Sequence, residues 1–262
     1  MSRATDVSIS TSGLRKEFGK ITALDGIDVD IQGSQIVGLV GPNGAGKTTM
    51  IRCLLGLTGA SSGDSEINGT PSGDLDRTDR ADLGYMPQEE AVYRNLTVRE
   101  NVEFFANLYR VPERESAVDQ ALAFVGLRDR EHSRIGELSG GMVRRTSLAC
   151  TLVGDPDVVF LDEPTVGLDP KLRSEMWDRF RDRRDDGSLL VVSTHYLGEA
   201  HNCDRVLFLR DGDVLAFENP DTLLERDDVE DLEDAFLQLL EEDDAAQAAD
   251  AAAAGPAGGS DA

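Results

Sequence analysis

The octapeptide Gly41-Pro42-Asn43-Gly44-Ala45-Gly46-Lys47-Thr48 constrains this chain more than any other stretch of it. It fits the pattern G-x-x-x-x-G-K-[ST], and each residue type in it has a physical task. The glycines let the backbone curl until successive N–H groups point inward at phosphate oxygens. A helix beginning at the lysine turns its positive end towards the same anion. Lys47 then reaches the outer phosphates, and the Thr48 hydroxyl is suited to ligate Mg2+. Residues Gly41, Pro42, Asn43, Gly44, Ala45, Gly46, Lys47, Thr48 and Thr49 are therefore the candidate phosphate-binding set. The flanks agree: residues 35–40 read as a near-continuous apolar strand and residues 47–57 as a helix. Nucleotide binding follows from the motif, but the reaction does not, since kinases and GTPases use the same loop.

Around this loop the hydrophobic pattern alternates between strand and helix periods. Residues 7–10 and 27–31 alternate as half-buried strands do, and 83–86 reads as another short strand. From 97 to 125 the pattern turns helical, with Val98, Val102, Phe105 and Leu108 at three- and four-residue spacing. A further helix is predicted from Gly141 to about Val153. Two buried-type strands, 158–161 and 189–193, bracket an amphipathic helix over 171–185. Residues 206–209 and 213–217 flank Asp211-Gly212, a hairpin turn signal. Strands alternating with helices imply an α/β core with a parallel sheet. The early antiparallel strands and a helical insert at about 89–150 would be appendages to it. The chain divides into one domain over 1–240 and a tail over 241–262, acidic and then rich in Ala and Gly. With no large apolar residue, the tail is expected to be disordered, with a short alanine-rich helix before Gly255 as the alternative.

The strand 158–161 runs into Asp162-Glu163. Beside a phosphate-binding loop, the first carboxylate is suited to hold Mg2+ through water and the second to polarise an attacking water. A glutamate directly after the aspartate favours a hydrolase over a kinase.

Leu138-Ser139-Gly140-Gly141-Met142 opens the helix predicted near Gly141 and resembles the signature motif of the ATP-binding cassette (ABC) ATPases. Alone, Ser-Gly-Gly is a weak signal. It gains force in chain order with the phosphate loop, Gln88, Asp162-Glu163, Asp169 and His195, a resemblance that covers roughly residues 7–226. It implies an ABC-type P-loop fold, ATP and Mg2+ as ligands, and a role for each matching residue. Phe18 would stack on adenine. Gln88 would touch Mg2+ or the attacking water, with Thr48 and Asp162 completing the metal set. Glu163 would be the general base, and His195 would contact the γ-phosphate. Ser139, Gly140 and Gly141 would bind phosphate across a head-to-tail dimer, with Asp169 coupling the two sites. Asp169 also suits a helix N-cap before Pro170, and both roles can hold together. His132 and His201 match nothing in the family pattern.

The sequence departs from the family at two places. Met142 stands where many importers have Gln, and Val166-Gly167-Leu168-Asp169 replaces Ser-Ala-Leu-Asp. The run Leu138-Ser139-Gly140-Gly141-Met142-Val143-Arg144-Arg145, with residues 194–200, looks more like the branch that serves ABC-2 type exporters, including drug-efflux systems. The resemblance thus implies an ATPase at the cytoplasmic face of the membrane, driving a separate ABC-2 type permease. A soluble ABC ATPase acting in translation or repair is the alternative. It is disfavoured by the single cassette and by the compact insert between Lys47 and Ser139. A non-catalytic nucleotide-binding regulator ranks last, because Glu163 and His195 are both present.

Composition narrows the rest. No apolar run approaches the ~20 residues needed to cross a bilayer, and no secretory signal is visible. Cys53, Cys150 and Cys203 are far apart in apolar contexts, as reduced structural thiols would be. The net charge is −24, with 50 acidic residues against 26 basic, and arginine outnumbers lysine 22 to 4. The acids are dispersed, which suits a salt-rich cytoplasm and a halophilic source. Such a surface lacks the basic footprint that nucleic acid needs.

Overall fold

Strands buried on both faces form the centre of the molecule. The computed structural model describes residues 7–253. Two N-terminal strands, β1 (Ser8–Phe18) and β2 (Ile21–Gln32), lead into β3 (Ile36–Val40), which is buried at every position. After the phosphate loop come α1 (Lys47–Leu54) and the hairpin β4 (Ser62–Ile67) and β5 (Thr70–Pro71). β6 (Leu83–Met86) is followed by three helices: α2 (Val98–Leu108), α3 (Arg114–Phe124) and α4 (Gly140–Leu152). The chain then alternates through β7 (Val158–Asp162), α5 (Pro170–Asp185) and β8 (Leu189–Thr194). It ends with β9 (Arg205–Arg210), β10 (Asp213–Glu218), α6 (Pro220–Leu224) and α7 (Leu232–Ala253).

The strands make two sheets. A six-stranded sheet has the order β10-β9-β3-β8-β7-β6, parallel except for the antiparallel β9–β10 hairpin. A four-stranded antiparallel sheet, β2-β1-β4-β5, holds the N-terminal segment. This is the α/β core with an antiparallel appendage that the sequence implied. The unbroken apolar runs of the core strands also find their reason. Val158 and Phe160 of β7 face one hydrophobic cluster with α1 and the antiparallel sheet, while Val159 and Leu161 face a second with α2–α5. A strand between two cores has no solvent face, so it does not alternate.

Several boundaries differ from the sequence reading. The single helical stretch over 97–125 is two helices. Arg110 and Glu113 take left-handed φ values of 58° and 48°, and Pro112 between them cannot continue a helix. The hairpin β4–β5 was not anticipated, because Ser-Gly-Asp-Ser-Glu-Ile carries almost no apolar pattern. Its Asn68-Gly69 turn, with φ of 51° and 76°, was the available signal.

Over residues 241–253 the structure shows the alternative, a helix ending before Gly255, in place of the expected disorder: α7 runs through to Ala253. Leu232, Ala235, Phe236 and Leu239 bury one face of it, with Phe236 5.2 Å from the Phe208 ring of β9. Arg210 then reaches the acidic run at Asp243 (3.4 Å) and Asp244 (2.7 Å), and Arg226 pairs with Glu242. Packing of an earlier segment and these ion pairs seed a helix that high alanine propensity extends. Residues 254–262, the remainder of the expected tail, lie outside the described residues. Among the described residues no helix is long and apolar enough to cross a membrane. All three cysteines are buried free thiols.

Candidate active site

The carboxyl ends of β3, β7 and β8 lie side by side, and that is where the phosphate loop and the acidic pair meet. Gly46, the N-cap of α1, holds φ at 108°, where a side chain is strained, and a Cβ there would lie 2.6 Å from the Ala23 carbonyl. The tight turn aims the start of α1 into a cleft of about 210 Å3. Its lining includes Asn43, Gly44, Gly46, Lys47, Thr48 and Thr49, with Gln88 and Glu163 opposite. Gly41 and Ala45 are buried beneath the loop, and Pro42 is exposed at its edge. Lys47 Nζ donates to the carbonyls of Gly41 (2.7 Å) and Pro42 (2.9 Å). Burial lowers the lysine pKa from its ordinary value, while the carboxylates of Glu163 and Asp162 act in the opposite sense.

Asp162, the last residue of β7, is held by a hydroxyl on each oxygen. Thr48 Oγ1 donates to Oδ2 (2.8 Å) and Ser193 Oγ to Oδ1 (2.5 Å). A hydroxyl and a carboxylate this close form the hard-oxygen pair that Mg2+ takes from a protein when phosphates supply further ligands. The residues present therefore fit that cation.

Glu163 follows in a left-handed conformation, φ 54°. Its N–H donates to Ser193 Oγ (3.0 Å), and the residue is buried, with 6% of its surface exposed. Gln88 Nε2 donates to Oε2 at 3.2 Å, and His195 Nδ1 lies 3.0 Å from Oε1. One carboxylate thus gathers two polar side chains from the ends of β6 and β8. A buried carboxylate facing a phosphate loop is placed to accept a proton from water at that cleft.

The remaining expected residues lie elsewhere. Ser139 caps α4, its hydroxyl accepting from the Met142 N–H at 3.4 Å. With Gly140 and Gly141 it lines a separate cleft of about 560 Å3, shared with Gly167 and Asp169. Asp169 caps α5 by accepting from the Leu172 N–H at 3.0 Å, and Pro170 follows at the first helical position. Phe18 ends β1 outside the lining of the phosphate cleft, half exposed, with the Lys16 ammonium 4.9 Å from its ring centre.

The contacts of three polar groups at or beside the site lie beyond the sequence reading. Ser193 joins Asp162 and Glu163, and its only signal was a hydroxyl at the end of an apolar strand. Glu199 is buried and accepts from Thr165 (2.9 Å) and Thr194 (2.8 Å), linking the segments after β7 and β8. Arg144 reaches the carbonyls of Gln88, Asp162 and Glu163.

A phosphate loop between strand and helix, an acidic strand end and a buried glutamate over the same cleft define a P-loop nucleotide hydrolase. The comparisons narrow that class. Residues 24–166, over half the chain, match the family model described as ABC transporter. The chain is 37% identical over 222 residues to the Nod factor export ATP-binding protein I of Rhizobium sp. (strain N33), covering 84% of this chain and 73% of that protein. It is 40% identical over 222 residues to the Probable multidrug ABC transporter ATP-binding protein YbhF of Escherichia coli (strain K12), covering 83% of this chain and 38% of that one. A solved ATP-binding subunit of an ABC transporter superposes with a TM-score of 0.80 at 26% identity, covering 88% of this chain and 99% of the other. A dimeric ATP-binding cassette in a post-hydrolysis state with ADP and Pi superposes at 0.74 and 27% identity, covering 80% and 98%. The chain belongs to the ABC transporter family and is an ATP-binding, ATP-hydrolysing subunit; subunits of this family dimerise and work with membrane permeases.

Proposed function

We propose that this chain is the motor of an exporter, working as two copies head to tail at the cytoplasmic face of an ABC-2 type permease. The observation that carries the reading is the division of its polar groups between two clefts. Lys47, Asp162, Glu163, Gln88 and His195 converge on one, whereas Ser139, Gly140 and Asp169 line another. Both clefts carry a helix N-terminus suited to phosphate. A two-fold dimer sets each phosphate loop against the partner's signature, so that one ATP fills both halves.

In that arrangement Phe18 offers an exposed ring to the adenine, and Lys47 exchanges loop carbonyls for phosphate oxygens. Mg2+, when bound, would be held by Thr48 and Asp162 with Gln88 nearby, neutralising phosphate charge. Glu163 takes the proton of the attacking water, while His195 and Gln88 hold the carboxylate and meet the γ-phosphate side of the cleft. Asp169 faces the dimer partner. Export is supported by the Met142-Val143-Arg144-Arg145 run after the signature and by the names of the relatives. A permease surface is supported by Tyr93, Phe104, Leu108 and Tyr109, large side chains left exposed on the helical subdomain beyond Gln88. The net charge of −24 supports a halophilic source.

The test is complementation. Lys47→Ala and Ser139→Arg should each be nearly inactive as homodimers. In a mixed dimer one site collects both lesions and the other is intact, so random mixing should return up to roughly a quarter of wild-type sites. No recovery, when a Lys47→Ala and wild-type mixture proves that subunits exchange, removes the shared site.

A further inference from the structure

We propose that Arg144 is a positioning residue for hydrolysis, fixing the main chain beneath Gln88 and Glu163 from the signature helix. The inference rests on the reading of Glu163 as the base. Arg144 stands five residues after Ser139 on α4 and is half buried. Its Nε donates to the Glu163 carbonyl at 2.8 Å, and Nη1 donates to the Gln88 carbonyl at 2.9 Å. Nη2 donates to the Asp162 carbonyl at 2.7 Å and also meets the Glu163 carbonyl. One planar cation therefore gathers three carbonyl oxygens, two from the end of β7 and one from the loop after β6.

These are the residues whose side chains form the hydrolytic cluster. The Glu163 carboxylate receives the Gln88 amide, and its left-handed backbone is unfavourable for any residue with a side chain. Something must hold it there. Ser193 grips the N–H side of Glu163 and Arg144 the carbonyl side. The neighbouring Arg145 makes a useful contrast. It donates to the Val125 and Gly126 carbonyls at the end of α3, so it braces the helical subdomain and not the site. Of two adjacent arginines, one serves the fold of the insert and the other serves the position of the base. A rigid fork suits the second task, since a lysine ammonium carries no fixed spacing between donors.

Full-length protein is assayed for kcat and KM as Arg144→Met, Arg144→Lys and Arg144→Met in a Glu163→Gln background, with thermal midpoints alongside. Displacing a catalytic group by ~1 Å costs ~100-fold in rate. Arg144→Met should lower kcat by about 30–100-fold and leave KM for ATP within about 2-fold. Arg144→Lys should recover part of the loss. A residue acting through Glu163 adds no further loss in the Glu163→Gln background, because the two effects share one group. A near-normal kcat for Arg144→Met, a rise in KM that accounts for the change, or full additivity with Glu163→Gln overturns the proposal. If Arg144→Met fails to fold, Arg144→Lys decides: kcat reduced by about 10-fold at constant KM is expected, and an unchanged kcat overturns it. Glu163→Gln alone separates the two readings. If that variant hydrolyses ATP normally, the base assignment fails; if it is inactive while Arg144→Met is normal, only the arginine inference fails.

Discussion

The two clefts are built on the same device, a glycine-rich turn opening a helix, yet they are finished differently. In the phosphate cleft each charged group is met from within the chain: Lys47 by loop carbonyls, Asp162 by Thr48 and Ser193, Glu163 by Gln88 and His195. In the signature cleft Ser139 and Asp169 are exposed, and their side-chain hydrogen bonds cap the helices that follow them. A polar group buried with partners rigidifies a site, while a solvated one is cheap to keep and free to change partner. The first cleft is preorganised before anything binds. The second is a surface whose use depends on what arrives.

The strongest test of that contrast is Glu163→Gln. General-base catalysis contributes roughly 10²–10⁴-fold, so turnover should fall by that order while ATP binding persists. Phosphate release and light scattering of an ATP-stabilised dimer would read both. Normal hydrolysis would mean that the closed cleft is preorganised for something other than this proton transfer.

A paired measurement compares the clefts directly. Ser193→Ala strips a donor from buried Asp162 and an acceptor from the Glu163 N–H, and should cost about 1–3 kcal/mol in urea unfolding. Asp169→Ala removes an exposed cap and should cost about 1 kcal/mol. Equal losses, or the reverse order, would break the distinction between a closed and an open cleft.

Salt should act least on the closed cleft and most on the surface. Relieving self-repulsion among 50 acidic residues should raise the thermal midpoint through a KCl series. The rise is on the order of 2–4 °C for each kcal/mol of repulsion screened. A flat series removes the halophile reading and leaves the ATPase assignment standing.

What the sequence made legible follows the same line between local and distant causes. β6 is legible to the residue and β7 and β8 to within one; β7 and β8, buried on both faces, write themselves as apolar runs. The phosphate loop was legible because its chemistry is contiguous. β1 was read as only four residues, since register shifts near Thr11, Leu14 and Lys16 break its alternation. Beyond 241 the sequence leaves disorder and an alanine-rich helix as alternatives, because what decides for the helix, the seat of α7 on β9 and its pairs with Arg210, comes from tertiary packing. The contacts of Ser193 and Arg144 with the site are illegible for a related reason. Ser193 reaches Asp162 from 31 positions away in the chain and Arg144 reaches Gln88 from 56 positions away.

The left-handed backbone of Glu163 bears on how this protein can age under mutation. Asparagine and glycine visit that conformation more readily than glutamate does, by an amount on the order of 1 kcal/mol. Selection for thermal robustness alone would therefore favour their appearance at position 163, and the resulting chain would fold well, bind nucleotide and turn over little. The glutamate persists only while turnover itself is under selection. A stability screen of random variants would find its false friends at this residue first.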